Sequence, residues 1–448
     1  MRNSSEPNTV FSHPKVLFVG GGMRIGNDTA TGQTLACMYG SYPPDRIAQY
    51  SRPELPGGDF GDVVRMGRWL SPVAYSWRIV KVLSARLLKI LRRSSGGAQK
   101  VSHNAIRTAK MSTSKRIALD LDAVMDLRRV RIRRRTLRAL RAASPDVIHA
   151  VVYNGFSVRL ALELSEKLQL PIVPQFTDDW ITTIFLNGEL RGRARTAMLG
   201  HLDALIQRSP ALLVIGDAMA EEYATRYDRR CFVTAYGVEP EDYQIRPELA
   251  DGKKRLLYIG GGYIGRAEQI DLIADWIQDH GWEVVVHTGA QNVWSPQSDN
   301  VRMADELSLE ELPQALVNAD AVLFVESLRP EIVEYTRYSV STKVSQLIAA
   351  RRPILAIGPR GQGSIEELRS NASDAHFIHT SEDSERAEAL RFLSGTSRRS
   401  DAAIPEKYHA SVMRRNFENA MKYADDAGLP IVPSPSRANH PPDAGAEE

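Results

Sequence analysis

Twice in this chain a short apolar run leads straight into clustered glycines and then into a helical pattern. The first is Val16 to Val19, followed by Gly20-Gly21-Gly22 and MRIGNDTATGQTLACMYG. The second, about half the chain later, is RLLYIGGGYIGRAE over Arg255 to Glu268, with Ile270, Ile273, Ala274 and Ile277 at helical spacing. A buried strand, a glycine turn and a helix form the unit from which parallel α/β sheets are built. Two such units predict two Rossmann-like domains.

The second unit also carries chemistry. Glycines let backbone approach a phosphate closely, and a helix N-terminus presents unpaired N–H groups with a partial positive charge. Arg266 adds a fixed, bidentate cation at that point. Gly260, Gly262 and Gly265 also fit G-x-G-x-x-G, so an NAD(P)-dependent oxidoreductase is a rival reading. It requires a carboxylate at the end of the next strand to hold a ribose. That strand, Glu283 to His287, has its only carboxylate at the opposite end. A tight turn with no ligand is the third reading.

At 448 residues the chain is long enough for two to three domains, each with its own core. Two cysteines, Cys37 and Cys231, make no disulfide framework and have no metal-ligand neighbours in sequence. They fit a reducing, cytoplasmic setting. Residues 1–14 lack the apolar core of a signal peptide and read as disordered, as do the Pro-rich residues 429–448. No apolar run is long enough to span a bilayer.

Charge is unevenly spread. Residues 61–141 hold 21 Lys and Arg against four Asp and no Glu. That local +17 leaves −14 for the rest of a chain whose net charge is +3. Leu70, Val73, Trp77, Val80, Leu87 and Leu91 lie near one helical face, ringed by basic residues. A basic amphipathic helix with a Trp points to an anionic membrane surface, over residues 65–141. The bland alternative is a solvated face. The segment has no interleaved aromatics of a nucleic-acid module, which argues against that partner.

Along the chain, further strands are expected at Asp146–Ala150, Pro171–Phe176, Leu212–Ile215, Cys231–Tyr236, Glu283–Val286, Ala321–Val325 and Pro353–Ile357. Asp178 and Asp179 follow a strand end, where α/β sheets meet ligands, or else cap a helix. Asp217 is expected to cap the helix AMAEEYATRY. Glu326–Ser341 reads as a polar loop, after which Thr342-Lys343 opens a helix. The expected organisation is an N-terminal domain over 15–240 with the basic insertion 61–141, a C-terminal domain over 253–405, and a helix over 406–428 packing back toward the first domain.

Several phrases together resemble bacterial glycosyltransferases of the GT-B fold, in the broad family 4 group. They are GNDTATGQTL with YPPDRIAQ, FTDDWITTIF, GDAMAEEYATRY with VTAYGVE, and YSVSTKVSQLIAARRPILAIGP. The likeness covers most of residues 15–425. It implies transfer of a sugar from a nucleoside diphosphate to an acceptor hydroxyl of a glycan or lipid-linked molecule. Retention of configuration, no metal, no separate cofactor and a peripheral-membrane role in surface polysaccharide or glycolipid synthesis go with it. Under this likeness Arg266 and Lys343 contact the donor diphosphate. Gly21, Gly22, Gly261 and Gly262 approach the substrates, and Tyr338, Ser339 and Ser341 reach the sugar and phosphates. Asp178 and Asp179 face the acceptor or the transferred sugar.

There is one departure. The family's ribose-binding Glu is matched here by Gln346, which accepts a hydrogen bond without charge. This motivates a second expectation, a glycosyltransferase-like partner protein without activity. Glu326 and Glu334 show the family's two-glutamate spacing, but both precede the helix that should carry the second, so the spacing reads as coincidence.

Overall fold

The computed structural model describes residues 13–20, 23–26, 29–51, 62–65, 119–120, 123–124, 126–185, 191–244, 254–262, 265–289, 294–380, 382–395 and 400–430. Of the tails expected at 1–14 and 429–448, residues 1–12 and 431–448 lie outside the described residues. So do Gly21 and Gly22, residues 245–253, and the basic amphipathic stretch over 66–118.

Two parallel sheets carry the fold. The first contains β1 (Val16–Val19), β2 (Ile47–Ser51), β3 (Asp62–Arg65), β4 (Val147–Val151), β5 (Ile172–Phe176), β6 (Ala211–Val214) and β7 (Arg230–Val233). Its order is β3-β2-β1-β4-β5-β6-β7. The second contains β8 (Lys254–Ile259), β9 (Trp282–His287), β10 (Val301–Ala304), β11 (Ala321–Val325), β12 (Ile354–Ile357) and β13 (Ala375–Ile378), ordered β10-β9-β8-β11-β12-β13. Every strand pairing recorded between them is parallel, which requires helical crossovers on both faces. That is why β1, β4, β5 and β6 are buried at every position and apolar but for His149 in β4 and Gln175 in β5.

In both sheets the order reverses beside the first strand. Ligands bind outside the carboxyl ends of strands at such a switch point. In the second sheet this point lies between β8 and β11, so the loops after Ile259 and Val325 converge there.

The helix Ala410–Ala427 ends the described chain. It buries Phe417, Ala420, Met421 and Ala424 in a cluster with Val16, Phe18, Tyr39 and Val147. Its inner face therefore belongs to the core of the first sheet, not the second. Fully burying one such phenylalanine contributes roughly 2–3 kcal/mol. The chain crosses between the sheets twice, side by side: Val238 and His409 form a parallel bridge, and Gly237 lies so close to Ala410 Cα that an added Cβ would sit 2.5 Å from it.

Some local expectations are corrected. The strand expected to run from Cys231 to Tyr236 ends at Val233, because the chain then turns toward the second sheet through Val238. Asp217 does not cap its helix: Gly216 is the N-cap, and the Asp217 carboxylate accepts from Lys407 at 3.1 Å. The polar loop after Glu326 contains a helix, Pro330–Thr336, opened by Pro at its first turn.

Candidate anion site between the two sheets

The loop after β8 is built around a lysine. Gly260 has φ +126, and a Cβ there would fall 2.8 Å from Lys343 Nζ. Gly265 has φ +74 and is the N-cap of the helix Arg266–Ile277. Only glycine adopts such values without strain. Gly261 offers its carbonyl to the Tyr258 hydroxyl at 3.1 Å. Gly262 faces the ring of Trp294, so its missing side chain makes room for an indole. The three fingerprint glycines are each approached by a neighbouring side chain: Lys343 at Gly260, Trp294 at Gly262 and Ser327 at Gly265.

Arg266 lies in the first turn of its helix. Its Nη2 donates to Glu326 Oε2 at 2.7 Å. Glu326 is buried at the end of β11, on the other side of the switch point. Lys343 opens the helix Lys343–Ala350. Burial of its ammonium away from water pushes its pKa down to about 8; Arg266 adds to that, and Glu326 opposes it. Two cations and one carboxylate leave the site net positive. Glu326, set aside as a coincidence of spacing, is the group that holds Arg266.

Lys343 depends on the loop that precedes it. The segment Thr336–Ser341 is clamped to the start of the helix Gly363–Asn371. Gly363 N donates to Arg337 O at 2.7 Å. Gln362 Nε2 donates to the carbonyls of Thr336 and Ser339 at 3.1 and 3.2 Å. Ser341 N donates to Ser364 Oγ at 3.0 Å. The Ser364 hydroxyl lies 3.2 Å from Ser339 O and 3.3 Å from Glu326 Oε1. Gln362, Gly363 and Ser364 carried no sequence signal.

This loop also reaches the other sheet. Ser339 Oγ donates to Asp178 Oδ1 at 2.6 Å, and Thr177 donates to Oδ2 at 3.2 Å. Burial raises the Asp178 pKa, opposed by hydrogen bonds from Ser339, Thr177 and Tyr335; Glu326 adds to the rise. Val340 meets Gly216, where a Cβ would stand 2.7 Å from its Cγ2. Asp178 is therefore at the seam, with its lone pairs largely used.

Asp179 is elsewhere. It is buried and accepts from Tyr223 at 2.8 Å and Thr182 at 2.5 Å, with Arg226 at 3.4 Å. Its carboxylate fastens the helix Asp217–Tyr227 to the first sheet, and its charge reaches Tyr338 of the seam loop. Tyr338 stacks against the Arg337 guanidinium at 5.1 Å. Gln346 is buried one turn beyond Lys343, hydrogen-bonds Tyr236, and lines a 290 Å³ cavity with Gln33, Cys37, Glu239 and Leu312. The structure thus gathers Arg266, Lys343, Ser339, Ser341 and Asp178 into one region, puts Gln346 beside it, and engages Asp179 with Tyr223, Thr182 and Arg226.

Among the described residues one grouping has metal-ligand character: His376, Glu385 and Glu388, within 4.8 Å of one another. It lies at β13, the outer edge of the second sheet, away from the switch point. No helix among the described residues is long and apolar enough to cross a membrane.

Two Rossmann-like parallel sheets whose switch-point loops meet at an interdomain seam define the GT-B fold. Solved structures share it. One is an α,α-trehalose-phosphate synthase (UDP-forming) from Burkholderia vietnamiensis, with TM-score 0.53 and 11% identity, covering 93% of this chain and 100% of that one. Another is Anabaena Alr3699/HepE in complex with UDP and glucose, with TM-score 0.50 and 12% identity, covering 92% and 95%. At such identities the likeness is one of fold. No protein-family model matches the chain, and no curated protein sequence does.

Proposed function

We propose that the protein is a glycosyltransferase that moves a sugar from a nucleoside diphosphate to an acceptor hydroxyl. The observation that carries this reading is the convergence of Arg266 and Lys343 on a glycine loop at the switch point of the second sheet. Nothing else in the described residues needs two cations held there, one of them at an energetic cost. Both would face the two phosphates of a donor. As the sugar–phosphate bond breaks, negative charge grows on the departing diphosphate, and preorganised cations stabilise that charge most. One structural neighbour is a UDP-forming synthase and the other is in complex with UDP, which supports a nucleoside diphosphate as leaving group. The cavity beside Gln346, one helical turn from Lys343, is where a nucleoside would extend.

Retention of configuration and independence from metal belong to this reading, as does an acceptor in surface polysaccharide or glycolipid synthesis. So does contact with an anionic membrane. The described part of the basic segment supports it: the helix Arg134–Ala142 buries Leu137 and Leu140 and exposes Arg134, Arg135, Arg138 and Arg141. Each such residue near an anionic leaflet contributes about 1 kcal/mol. Protein that stays in the supernatant with phosphatidylserine liposomes at low salt refutes that part alone.

The main test is calorimetric titration with UDP, GDP, ADP, TDP and NAD, repeated with Arg266→Ala. Binding of one diphosphate, lost in the variant, is expected; binding of NAD alone refutes the proposal. Gln346 favours one alternative, a binding partner without activity. Turnover of a nucleotide sugar by the wild-type protein eliminates it.

A further inference from the structure

The two cations of the anion site sit on different helices, far apart in sequence. Arg266 belongs to the helix after β8, and Lys343 to the helix after the Thr336–Ser341 loop. One buried hydroxyl joins their supports. Ser364 accepts from Ser341 N, two residues before Lys343, and lies within hydrogen-bond distance of Glu326, which holds Arg266. It also lies by Ser339 O, in the loop whose side chain meets Asp178 across the seam, and accepts from Gln362 Nε2 at 3.4 Å. Ser364 is fully buried, so water cannot replace these bonds.

We propose that Ser364 is a positioning residue of the anion site, fixing the Lys343 loop and Glu326 in a single register. This rests on the anion-site reading above. The residue touches no substrate. It acts by keeping the Lys343 ammonium against Gly260 while Glu326 keeps Arg266 turned to the same place. Gly363 supports this arrangement: a Cβ there would fall 2.7 Å from Ser339 O, so the loop can lie on the helix start only over glycine.

The test reads Lys343 directly, without needing a ligand. Full-length protein is labelled with acetic anhydride from pH 6 to 11, and acetylation of the Lys343 peptide is followed by mass spectrometry. Wild-type reactivity is expected to break near pH 8. In Ser364→Ala the loop loosens, water reaches the ammonium, and the break moves up by about one pH unit or more, toward the ordinary lysine value. Ser364→Cys, close in shape but a weak hydrogen-bond donor, serves as the second variant and moves it in the same direction. A break unmoved in both Ser364 variants, with melting lowered or not, overturns the proposal, since a merely structural serine would give that result. The same labelling with UDP, GDP or ADP present separates the two ideas: failure of all three to protect wild-type Lys343 sinks the anion-site reading, while the shift in the free protein still decides the role of Ser364.

Discussion

Nucleoside diphosphate binding should weaken as pH rises through about 8, and Lys343 should be the cause. Its ammonium sits where its pKa falls from 10.5 to about 8. At 1.36 kcal/mol per unit, holding the charge there costs about 3 kcal/mol. A phosphate charge about 4 Å away returns roughly 4 kcal/mol at an effective dielectric near 20. The bound diphosphate therefore pulls the lysine back to its charged form. Below pH 8 the lysine is already protonated and affinity is flat. Above it, binding must take up a proton, so affinity falls about tenfold per pH unit. From pH 7 to 9 that is roughly a tenfold loss, since the first unit is flat. The terminal phosphate of the ligand ionises near pH 6, below this window. Calorimetry in buffers of different ionisation enthalpy measures both the affinity and the proton taken up. Lys343→Met should bind weakly and without the break. Constant affinity from pH 7 to 9, with no proton uptake, refutes the reasoning.

Other consequences are as definite. Arg266→Ala should reduce diphosphate affinity at least tenfold and lower stability by roughly 2–3 kcal/mol, because Glu326 stays buried without its ion-pair partner; denaturant melts and calorimetry measure the two effects. Gly262→Ala drives a methyl into the Trp294 indole and should cost roughly 1–3 kcal/mol, with a change in tryptophan emission. His149 is buried between the Tyr39 hydroxyl and Gln175, and burial pushes its pKa down to about 3. The unfolded chain therefore binds more protons between pH 6.5 and 3, and stability should fall on acidification across that window, by about 1.4 kcal/mol per unit at its steepest. His149→Asn should flatten that slope in denaturant melts at pH 4 to 6.5.

The strands that sequence periodicity located are those buried on both faces. β1, β4, β5, β6, β8, β9, β11 and β12 are apolar runs because helices cover both sides. The strands it missed are β2, β3, β10 and β13: the last three are at sheet edges, where one flank meets solvent, and β2 is interrupted by Gln49 and Ser51, so none shows a continuous apolar run. Arg266 and Lys343 were legible because a glycine turn and a helix start mark them locally. Glu326 and Ser364 were not. Their partners lie 60 and 38 residues away in sequence, and no local pattern encodes a contact of that kind. Asp178 and Asp179 show the same limit from the other side. They are adjacent in sequence and alike in chemistry, yet successive residues after a strand point in different directions, and one serves the seam while the other serves the core.

The way the last helix packs has a consequence for how the chain is made. Phe417, Ala420, Met421 and Ala424 complete the core around Val16 and Tyr39. The first sheet reaches its last strand at Val233, but that core stays open on one side until the whole second sheet has been synthesised. At 5–20 residues per second the gap lasts roughly 10–40 s. During that interval the nascent first domain presents an apolar groove of its own making, and the second domain, finished earlier, folds beside it. The part of the chain that emerges first is the part that closes last.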